Sequence, residues 1–297
     1  MLLLALATVQ IGVFGLFHPK QITVEAFPSQ ILLVNGIARS RAAFHQGDPR
    51  ARITARDGGP ADFTLNIPGK ISRRFHGTLD IATGGGELVP IVTMDREQAV
   101  AAVIAAEYPD GTPLEALKAA AILARSYYTA SPKRHALFDF CDTTHCQFHR
   151  SPPPPKHDAW RSIRETEGLQ LSYQGKVFAP LYSASCGGRT RTAESIGLDS
   201  TPYPYFAVDC PACQRKSRSW TQTLNQQPQS TEQFRLAQKI PSNNYSAATA
   251  NGVTTLHGRG EGHGLGLCQT GASAMAAKGA SFRDILNYYY PNTICTR

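Results

Sequence analysis

The chain has no long run of lysine or arginine, although its 30 basic residues outnumber its 22 acidic ones and give a net charge of +8. Dispersed basic residues, in a sequence without a nucleic-acid-binding motif, argue against a nucleic-acid partner. The same charge suits an acidic polymer, or a basic secreted protein without any charged partner. After the N-terminus, no segment is long and apolar enough to span a bilayer.

A complete signal peptide is missing as well. Residues 1–8 are apolar and end in small residues that suit signal cleavage. They lack the positive n-region and the longer apolar core of a full signal. From Val9 onward, apolar and polar residues already alternate as in a strand. We therefore interpret residues 1–8 as a shortened signal segment, which would provide the membrane anchor if it were retained.

Strand and turn patterns dominate residues 9–90, where short β-branched and apolar runs alternate with turns rich in Gly, Asn and Pro. Residues 91–297 mix helical patterns with short strands. A chain of 297 residues suits one large or two modest domains. The sequence predicts an α+β fold, with a β-rich N-terminal subdomain over residues 9–90 and a mixed region over residues 91–297, packed together as one unit.

Residues 95–130 predict two helices joined by a sharp turn. Asp95 is a suitable N-cap for the first helix, with Gln98 in the capping-box position. Glu107 continues the apolar stripe of this helix, where a carboxylate is unusual. A Pro-Asp-Gly turn then breaks the helix, and the second helix is expected to begin with Pro113 at its first position.

Two cations, Lys118 and Arg125, share one face of the second predicted helix with small apolar residues. The pattern predicts that Glu107 and these two cations converge at the corner between the helices. Two simpler interpretations remain open at this point. Glu107 can be a helix-end carboxylate in an ion pair with one of the cations, and Lys118 can belong to a solvated helix face.

The cysteine count is seven, an odd number that leaves at least one thiol outside any set of disulfides. Close groups of cysteines in an exported protein predict disulfides or a metal site. Cys210 and Cys213 form a CxxC pair, but no βαβ pattern surrounds it, which argues against a thioredoxin-like role. We expect Cys186 to pair with Cys210, Cys213 or Cys268, and a nucleophilic role for Cys186 is the weaker alternative.

Four blocks of the sequence form a recognisable series: AAEYPDGTPLEALKAAAILARSYY, DFCDTTHCQFHR, YSASCGGRT and GHGLGLCQTGASAMAAKGASFRDILNYYYP. In this order they resemble the SpoIID/LytB family, named after stage II sporulation protein D and the amidase-enhancer proteins. The last block is the most specific, because long Gly-His-Gly…Gln…Gly-Ala matches are rare by chance. The resemblance implies an exported cell-envelope protein whose SpoIID-like catalytic region forms a glycan-binding groove.

The resemblance also implies an activity on peptidoglycan. The best-studied branch of the family is a lytic transglycosylase that cleaves glycan strands already stripped of stem peptides. The essential glutamate of the family maps to Glu107, and its lysine and arginine map to Lys118 and Arg125. Such an enzyme needs one acid/base, because the 6-hydroxyl of the sugar replaces water and yields a 1,6-anhydro-muramyl end.

The expected environment of Glu107 suits this role. A carboxylic acid on an apolar helix face is desolvated, which raises its pKa and lets it protonate a glycosidic oxygen near neutral pH. An ordinary glycosidase would need a second carboxylate, and none is obvious nearby.

A bound zinc ion is known in the family, and its ligand pattern resembles His135, Cys141, His145 and Cys146. Two thiolates and two imidazoles suit tetrahedral zinc, although the spacing is not that of a standard zinc finger. A zinc ion with four protein ligands would be structural, holding the loop beside Glu107. A disulfide between Cys141 and Cys146 is the alternative, and His149 can replace His135 as the fourth ligand.

Two glycine-rich segments resemble the groove of the family, where backbone N–H groups and side chains bind sugar. In the second segment the glycines can instead serve close packing, with His263 capping the helix that follows. The candidate substrate-binding residues in these segments are Ser183, Ser185, Gly187, Gly188, His263 and Gln269.

Two functions from different classes fit these patterns. The first is a lytic transglycosylase with Glu107 as its single acid/base, acting on denuded glycan. The second is a non-catalytic glycan binder that enhances a cell-wall N-acetylmuramoyl-L-alanine amidase, its protein partner. A zinc hydrolase is less compatible, because four protein ligands leave no open coordination position.

Overall fold

The computed structural model describes residues 7–297 and divides the chain into two compact units. Unit 1 contains the described residues up to Pro109 together with Pro132–Ile163, and unit 2 contains Asp110–Ser131 and Arg164–Arg297. The helices are α1 (Arg96–Glu107), α2 (Leu114–Ala130), α3 (Asp158–Glu165), α4 (Pro211–Lys216), α5 (Glu232–Ala237), α6 (Gln269–Ala276) and α7 (Phe282–Tyr289). With the strands below, they confirm the predicted α+β class.

Unit 1 is built on one large, mostly antiparallel sheet. Its strands are β1 (Thr8–Gly12), β2 (Gln21–Ala26), β3 (Leu32–Val34), β4 (Ile37–Arg39), β5 (Arg41–His45), β6 (Ala51–Thr54), β7 (Ala61–Ile67), β8 (Ile71–Gly84), β9 (Glu87–Asp95) and β10 (Phe140–Cys141). The predicted β-rich character of residues 9–90 therefore agrees with the structure.

The long strand β8 joins two parts of this sheet. Its first half pairs with β7, up to Gly77 opposite Ala61, and its second half pairs with β9, beginning with Thr78 opposite Thr93. A Cβ atom on Gly77 would overlap the carbonyl oxygen of Thr93, so glycine is required where the two strands approach. Helix α1 packs against β1 and β9, and its apolar residues are buried.

The compact units do not follow the predicted boundary at residue 90. Helix α1 and the loop of residues 132–163 belong with the sheet of unit 1, because α1 contacts β1 and β9 and strand β10 of the loop pairs with β1. The predicted segment 1–8 lies largely outside the described residues. Its last residue, Thr8, already pairs with Asp95 in β1. Among residues 7–297, no helix combines the length and apolarity needed to cross a membrane.

Unit 2 packs α2, α6 and α7 around an apolar core that includes the buried aromatic residues Tyr203, Tyr289 and Tyr290. Its strands form three small sheets. They are β11 (Gln170–Tyr173), β12 (Lys176–Val177), β13 (Tyr182–Ser183), β14 (Ser219–Leu224), β15 (Tyr245–Ala250), β16 (Val253–Arg259), β17 (Leu267–Cys268) and β18 (Thr293–Thr296).

The helix ends follow their sequence signals closely. Asp95 caps α1 by accepting hydrogen bonds from the N–H groups of Glu97 and Gln98, as predicted. Helix α2 begins one residue later than predicted, with Pro113 as its N-cap and Leu114 as its first helical residue. Pro113 has no N–H to leave unpaired in either position, so the shift costs little.

Candidate functional site

Glu107 is the last residue of α1 and lies half-buried at the end of that helix. The helix ends there because Tyr108 adopts an extended conformation immediately before Pro109. The Oε1 atom of Glu107 accepts a hydrogen bond from the N–H group of Phe148 at 3.3 Å. The carboxylate is therefore fixed by a backbone donor from a loop 41 residues further along the chain.

That loop is tied to the sheet by a parallel pairing and a buried ion pair. Strand β10 pairs with β1, placing Cys141 opposite Gly12. Asp142 forms a 2.7 Å ion pair with Arg73, and both side chains are largely buried. The Asp142 carboxylate also accepts a hydrogen bond from the N–H group of Phe14, at 3.0 Å. Burial raises the pKa of Asp142, and the hydrogen bond from Phe14 and the charge of Arg73 oppose that shift.

The structure brings together the four residues predicted as zinc ligands. The ligand atoms of His135, Cys141, His145 and Cys146 all lie within 4.8 Å of one another. The thiols of Cys141 and Cys146 are free, so the structure does not contain the alternative disulfide between them. A hydrogen bond from Cys146 lowers the pKa of Cys141 to about 3 and raises that of Cys146. This donor set fits a tetrahedral zinc ion.

His149, the alternative fourth ligand, does not belong to this group. Its ring is completely buried, and neither ring nitrogen has a hydrogen-bond partner. Burial lowers its pKa to about 3, with a further contribution from the charge of Arg73, so the ring is neutral. The geometry favours His135 over His149 as the nitrogen ligand.

Lys118 lies in unit 2, where it is held by two carboxylates. Its Nζ atom is 2.6 Å from Glu115 and 2.6 Å from Glu165. Burial alone would lower its pKa, but the hydrogen bonds to these carboxylates outweigh burial and raise it. Glu115 also accepts a hydrogen bond from the N–H group of Phe282, at the start of α7. Lys118 is therefore a charged member of a network, and not part of a freely solvated helix face.

Arg125 has no exposed surface. Its Nη1 atom donates to the backbone carbonyl groups of Thr166 at 3.0 Å and Leu169 at 2.9 Å. These bonds attach α2 to the chain segment that enters β11. The contacts favour a structural role for Arg125 within unit 2, and its predicted contact with substrate stays a prediction.

The first glycine-rich segment follows β13. Ser183 is buried, and its Oγ atom has no hydrogen-bond partner. The hydroxyl of Ser185 lies 3.1 Å from the sulfur of Cys213. Gly187 and Gly188 both have positive φ, and a Cβ atom on Gly187 would overlap the carbonyl oxygen of Arg259. These two positions therefore require glycine.

The second segment leads into α6. His263 Nδ1 accepts a hydrogen bond from the N–H group of Leu265 at 3.0 Å, and its ring also bonds to the backbone of Tyr182. Burial lowers the pKa of His263 to about 4, so its ring is neutral near pH 7. Gln269 is the buried first residue of α6. These contacts organise the segment, and sugar binding by either side chain stays a prediction.

Unit 2 also contains a cavity of about 870 Å³ that the sequence patterns did not reveal. Its walls combine two predicted residues, Gly187 and Gly188, with aromatic and polar side chains of the sheet β14–β16–β15. One sequence signal was available: Asn251-Gly252 is a typical hairpin turn, and both residues have positive φ. The lining side chains include Arg189, Asp209, Trp220, Tyr245, His257 and Arg259.

A second cluster of sulfur atoms lies in the core of unit 2. Cys186 is buried beside Cys210, Cys213 and Cys268, and the four sulfur atoms lie within 4.8 Å of one another. Cys186 was expected to pair with one of these three cysteines, and the structure places it beside all three. All four are free thiols, so the expected disulfide is not formed.

Comparison with known proteins finds similarity to SpoIID. Residues 84–173 match the family model described as SpoIID, Stage II sporulation protein. This segment contains Glu107, Lys118, Arg125 and the four candidate zinc ligands. An uncharacterized protein of Brachyspira hyodysenteriae is 27% identical over 272 residues, which cover 77% of this chain and 72% of that protein.

Two Bacillus proteins are similar at a lower identity. Stage II sporulation protein D of Bacillus amyloliquefaciens is 25% identical over 250 residues, covering 65% of this chain and 72% of that protein. The amidase enhancer of Bacillus subtilis is 24% identical over 294 residues, covering 65% of this chain but 40% of that protein.

Proposed function

We propose that this chain is a member of the SpoIID/LytB family and a lytic transglycosylase that cleaves peptidoglycan glycan strands stripped of their stem peptides. The observation that carries the proposal is the setting of Glu107. A half-buried carboxylic acid at a helix end, within the matched segment, is held in place by the N–H group of Phe148.

In the proposed reaction, Glu107 acts first as a general acid and then as a general base. Its carboxyl group gives a proton to the glycosidic oxygen, and the bond from that oxygen to C1 of the muramyl residue breaks. The 6-hydroxyl of the same sugar attacks C1 and returns a proton to Glu107. Water does not enter, and the product carries a 1,6-anhydro ring.

The Phe148 amide has a defined part in this cycle. A backbone donor on one carboxylate oxygen fixes the rotamer of Glu107, so that the other oxygen carries the proton toward the leaving group. Phe148 lies two residues after Cys146, within the loop that contains the Cys2His2 set. Zinc bound by His135, Cys141, His145 and Cys146 would supply structural stability to this loop, since four ligands fill its tetrahedral shell.

Substrate binding is proposed for the 870 Å³ cavity of unit 2 and for the predicted residues that line it, Gly187 and Gly188. Trp220 and Tyr245 offer aromatic faces of the kind that stack on sugar rings. Removal of the stem peptide by an amidase leaves a free lactyl carboxylate on each muramyl residue. Arg259, which also lines the cavity, carries the charge that such a carboxylate requires, whereas Arg189 is already in an ion pair with Asp209.

The proposal is tested with amidase-treated glycan strands, by mass spectrometry of the released ends. The wild type is expected to produce 1,6-anhydro-muramyl ends, and Glu107→Gln is expected to lower the rate by at least about 1,000-fold, because it removes the only transferable proton. The matched control is Glu97→Gln, which changes a partly exposed carboxylate in the first turn of the same helix. Normal cleavage by Glu107→Gln would refute the mechanism.

A second function is favoured by one observation, the similarity to a protein named amidase enhancer. In this alternative the chain binds denuded glycan and stimulates a cell-wall amidase without cleaving any bond. The same assay separates the two functions. Glycan binding and amidase stimulation, both undiminished in Glu107→Gln and without anhydro ends, would establish the enhancer. In either case we propose that the protein is exported and acts in the cell envelope.

A further inference from the structure

The four buried cysteines of unit 2 are brought together from three separate stretches of sequence. Cys186 follows β13, and Cys268 ends β17, whose partner strand is β13. Cys210 is the N-cap of α4, and Cys213 lies in the first turn of that helix. Their sulfur atoms are within 4.8 Å of one another, and each residue is at most 3% exposed. The fold therefore creates a closed cage of four sulfur ligands.

We propose that Cys186, Cys210, Cys213 and Cys268 bind a structural zinc ion, separate from the Cys2His2 set of unit 1. Tetrahedral zinc with Zn–S distances of about 2.3 Å holds its sulfur ligands about 3.8 Å apart, which this cage can accommodate. An iron–sulfur cluster would hold the four sulfur atoms further apart, because several irons lie between them. The dimensions therefore favour a single ion.

Hydrogen-bond donors around the cage favour thiolates over disulfides. Cys213 Sγ accepts from the N–H group of Gly187 at 3.2 Å. Cys268 Sγ accepts from the N–H groups of Cys186 and Gly271, both at 3.4 Å. Two hydroxyl groups add contacts, from Ser185 to Cys213 at 3.1 Å and from Tyr289 to Cys210 at 3.2 Å.

These donors match what a zinc–thiolate site needs. Four thiols lose four protons to solvent when they bind Zn²⁺, and the resulting centre carries a net charge of −2. Backbone N–H and hydroxyl groups aimed at the sulfur atoms offset that charge in an apolar core. Disulfide sulfurs are weak acceptors and would gain little from the same donors.

Glycine is required beside the cage. A Cβ atom on Gly271 would overlap Cys210 Sγ and the hydroxyl of Tyr289. A side chain on Gly187 would overlap Arg259 and Asn244. The backbone N–H donors can reach the sulfur atoms because these two positions carry no side chain.

The site would hold one wall of the large cavity in place. Gly187 and Gly188 directly follow the ligand Cys186, while Pro211 and Gln214 flank the ligands of α4, and all four line the cavity. The ion would fix these segments relative to α6. The consequence for glycan binding rests on the proposed function, whereas the metal site itself does not.

The test uses the full chain with the substitutions Cys141→Ser and Cys146→Ser, which remove the Cys2His2 set of unit 1. The protein is purified anaerobically after growth with zinc. Elemental analysis is expected to find one zinc ion per chain. Replacement of zinc by Co²⁺ is expected to give the strong thiolate-to-cobalt charge-transfer and d–d bands of a tetrahedral four-sulfur site. Adding Cys213→Ser should abolish both signals, and adding Cys295→Ser, outside the cluster, should leave them unchanged.

The cobalt spectrum is read with all four cluster cysteines intact, so the test does not depend on the folding of Cys213→Ser. Absence of metal, with four free thiols or with the mass loss of two disulfides, would overturn the proposal. Retention of one zinc ion after Cys213→Ser would also overturn it. Anhydro ends are assayed in the chain that keeps Cys141 and Cys146. Cleavage in a protein without the four-sulfur metal would leave the proposed function standing, and metal binding without cleavage would leave the metal site standing, so the two proposals fail separately.

Discussion

At Glu107, a backbone hydrogen bond from Phe148 connects the proposed acid to the Cys/His loop of unit 1. The two predicted cations differ in their contacts. Lys118 is charged and held by two carboxylates, whereas Arg125 is fully buried and donates to backbone carbonyls. Removing a buried guanidinium that donates to carbonyl groups lowers the free energy of unfolding by several kcal/mol, because those carbonyls lose their hydrogen-bond donor. Loss of activity in an Arg125 variant would therefore reflect structure first.

The ring of His263 predicts how the stability of the protein depends on pH. Burial lowers its pKa from 6.5 to about 4, so the unfolded chain binds a proton in this window that the folded chain does not. Stability from the neutral ring is complete above pH 6.5 and falls as the pH drops toward 4. Because the ring is partly exposed, we expect the free energy of unfolding to fall by about 1–2 kcal/mol from pH 6.5 to pH 4, as measured by urea unfolding.

The control for this prediction is His263→Asn. Its amide oxygen can still accept from the N–H group of Leu265, but the side chain does not titrate. We expect a smaller decline in stability between pH 6.5 and pH 4 than in the wild type. Equal declines in the two proteins would assign the pH dependence to other groups.

At the scale of elements, the loop between α2 and α3 combines an ion pair, a strand and a ligand set. Asp142 fixes the loop to Arg73, β10 pairs it with β1, and the Cys2His2 set includes Cys141 at the end of β10. None of these contacts alone would order so long a loop. Together they hold the Phe148 N–H group against Glu107, which is why we treat the loop as part of the proposed active site.

Zinc binding in this loop is predicted to depend on His135 and not on His149. Relative to the wild type, His135→Ala is expected to lower the zinc content by about one ion per chain, because one of four ligands is lost. His149→Leu is expected to retain the ion, since the ring of His149 makes no polar contact and lies outside the ligand group. Elemental analysis of purified proteins decides between them, and the reverse result would make His149 the ligand.

At the scale of the whole molecule, the net charge of +8 fits a polyanionic substrate. Denuded glycan carries a carboxylate on each muramyl residue, while glycan whose carboxylates have been converted to methylamides does not. We expect the affinity for denuded glycan to fall several-fold between 0.1 M and 1 M salt, as the Debye length shrinks from about 10 Å to 3 Å.

Binding by the methylamide glycan is the control, measured by the same co-sedimentation assay. It should be weaker at low salt and nearly independent of ionic strength. If both glycans showed the same salt dependence, the basic charge would have no specific role in recognition. This assay measures binding only, so neither outcome bears on the catalytic role of Glu107.

The sequence alone indicated the similarity to SpoIID proteins, the α+β class and the ends of the main helices. These properties depend on local signals: the Asp95 cap, the Pro-containing breaks, and the strand–turn alternation over residues 9–90. The candidate zinc set was also within reach, because three of its four residues lie within six positions of one another.

Tertiary structure alone decided how distant residues meet. Arg125 and Lys118 share a helix face, yet packing buries one completely and gives the other two carboxylate partners. The cavity lies on a sheet whose strands carry weak patterns, since an exposed sheet has little apolar alternation. The four-sulfur cage joins Cys186 to Cys268 across 82 residues. The sequence patterns offered Cys268 only as one of three alternative partners of Cys186, and the pairing of β13 with β17 decides that this contact forms.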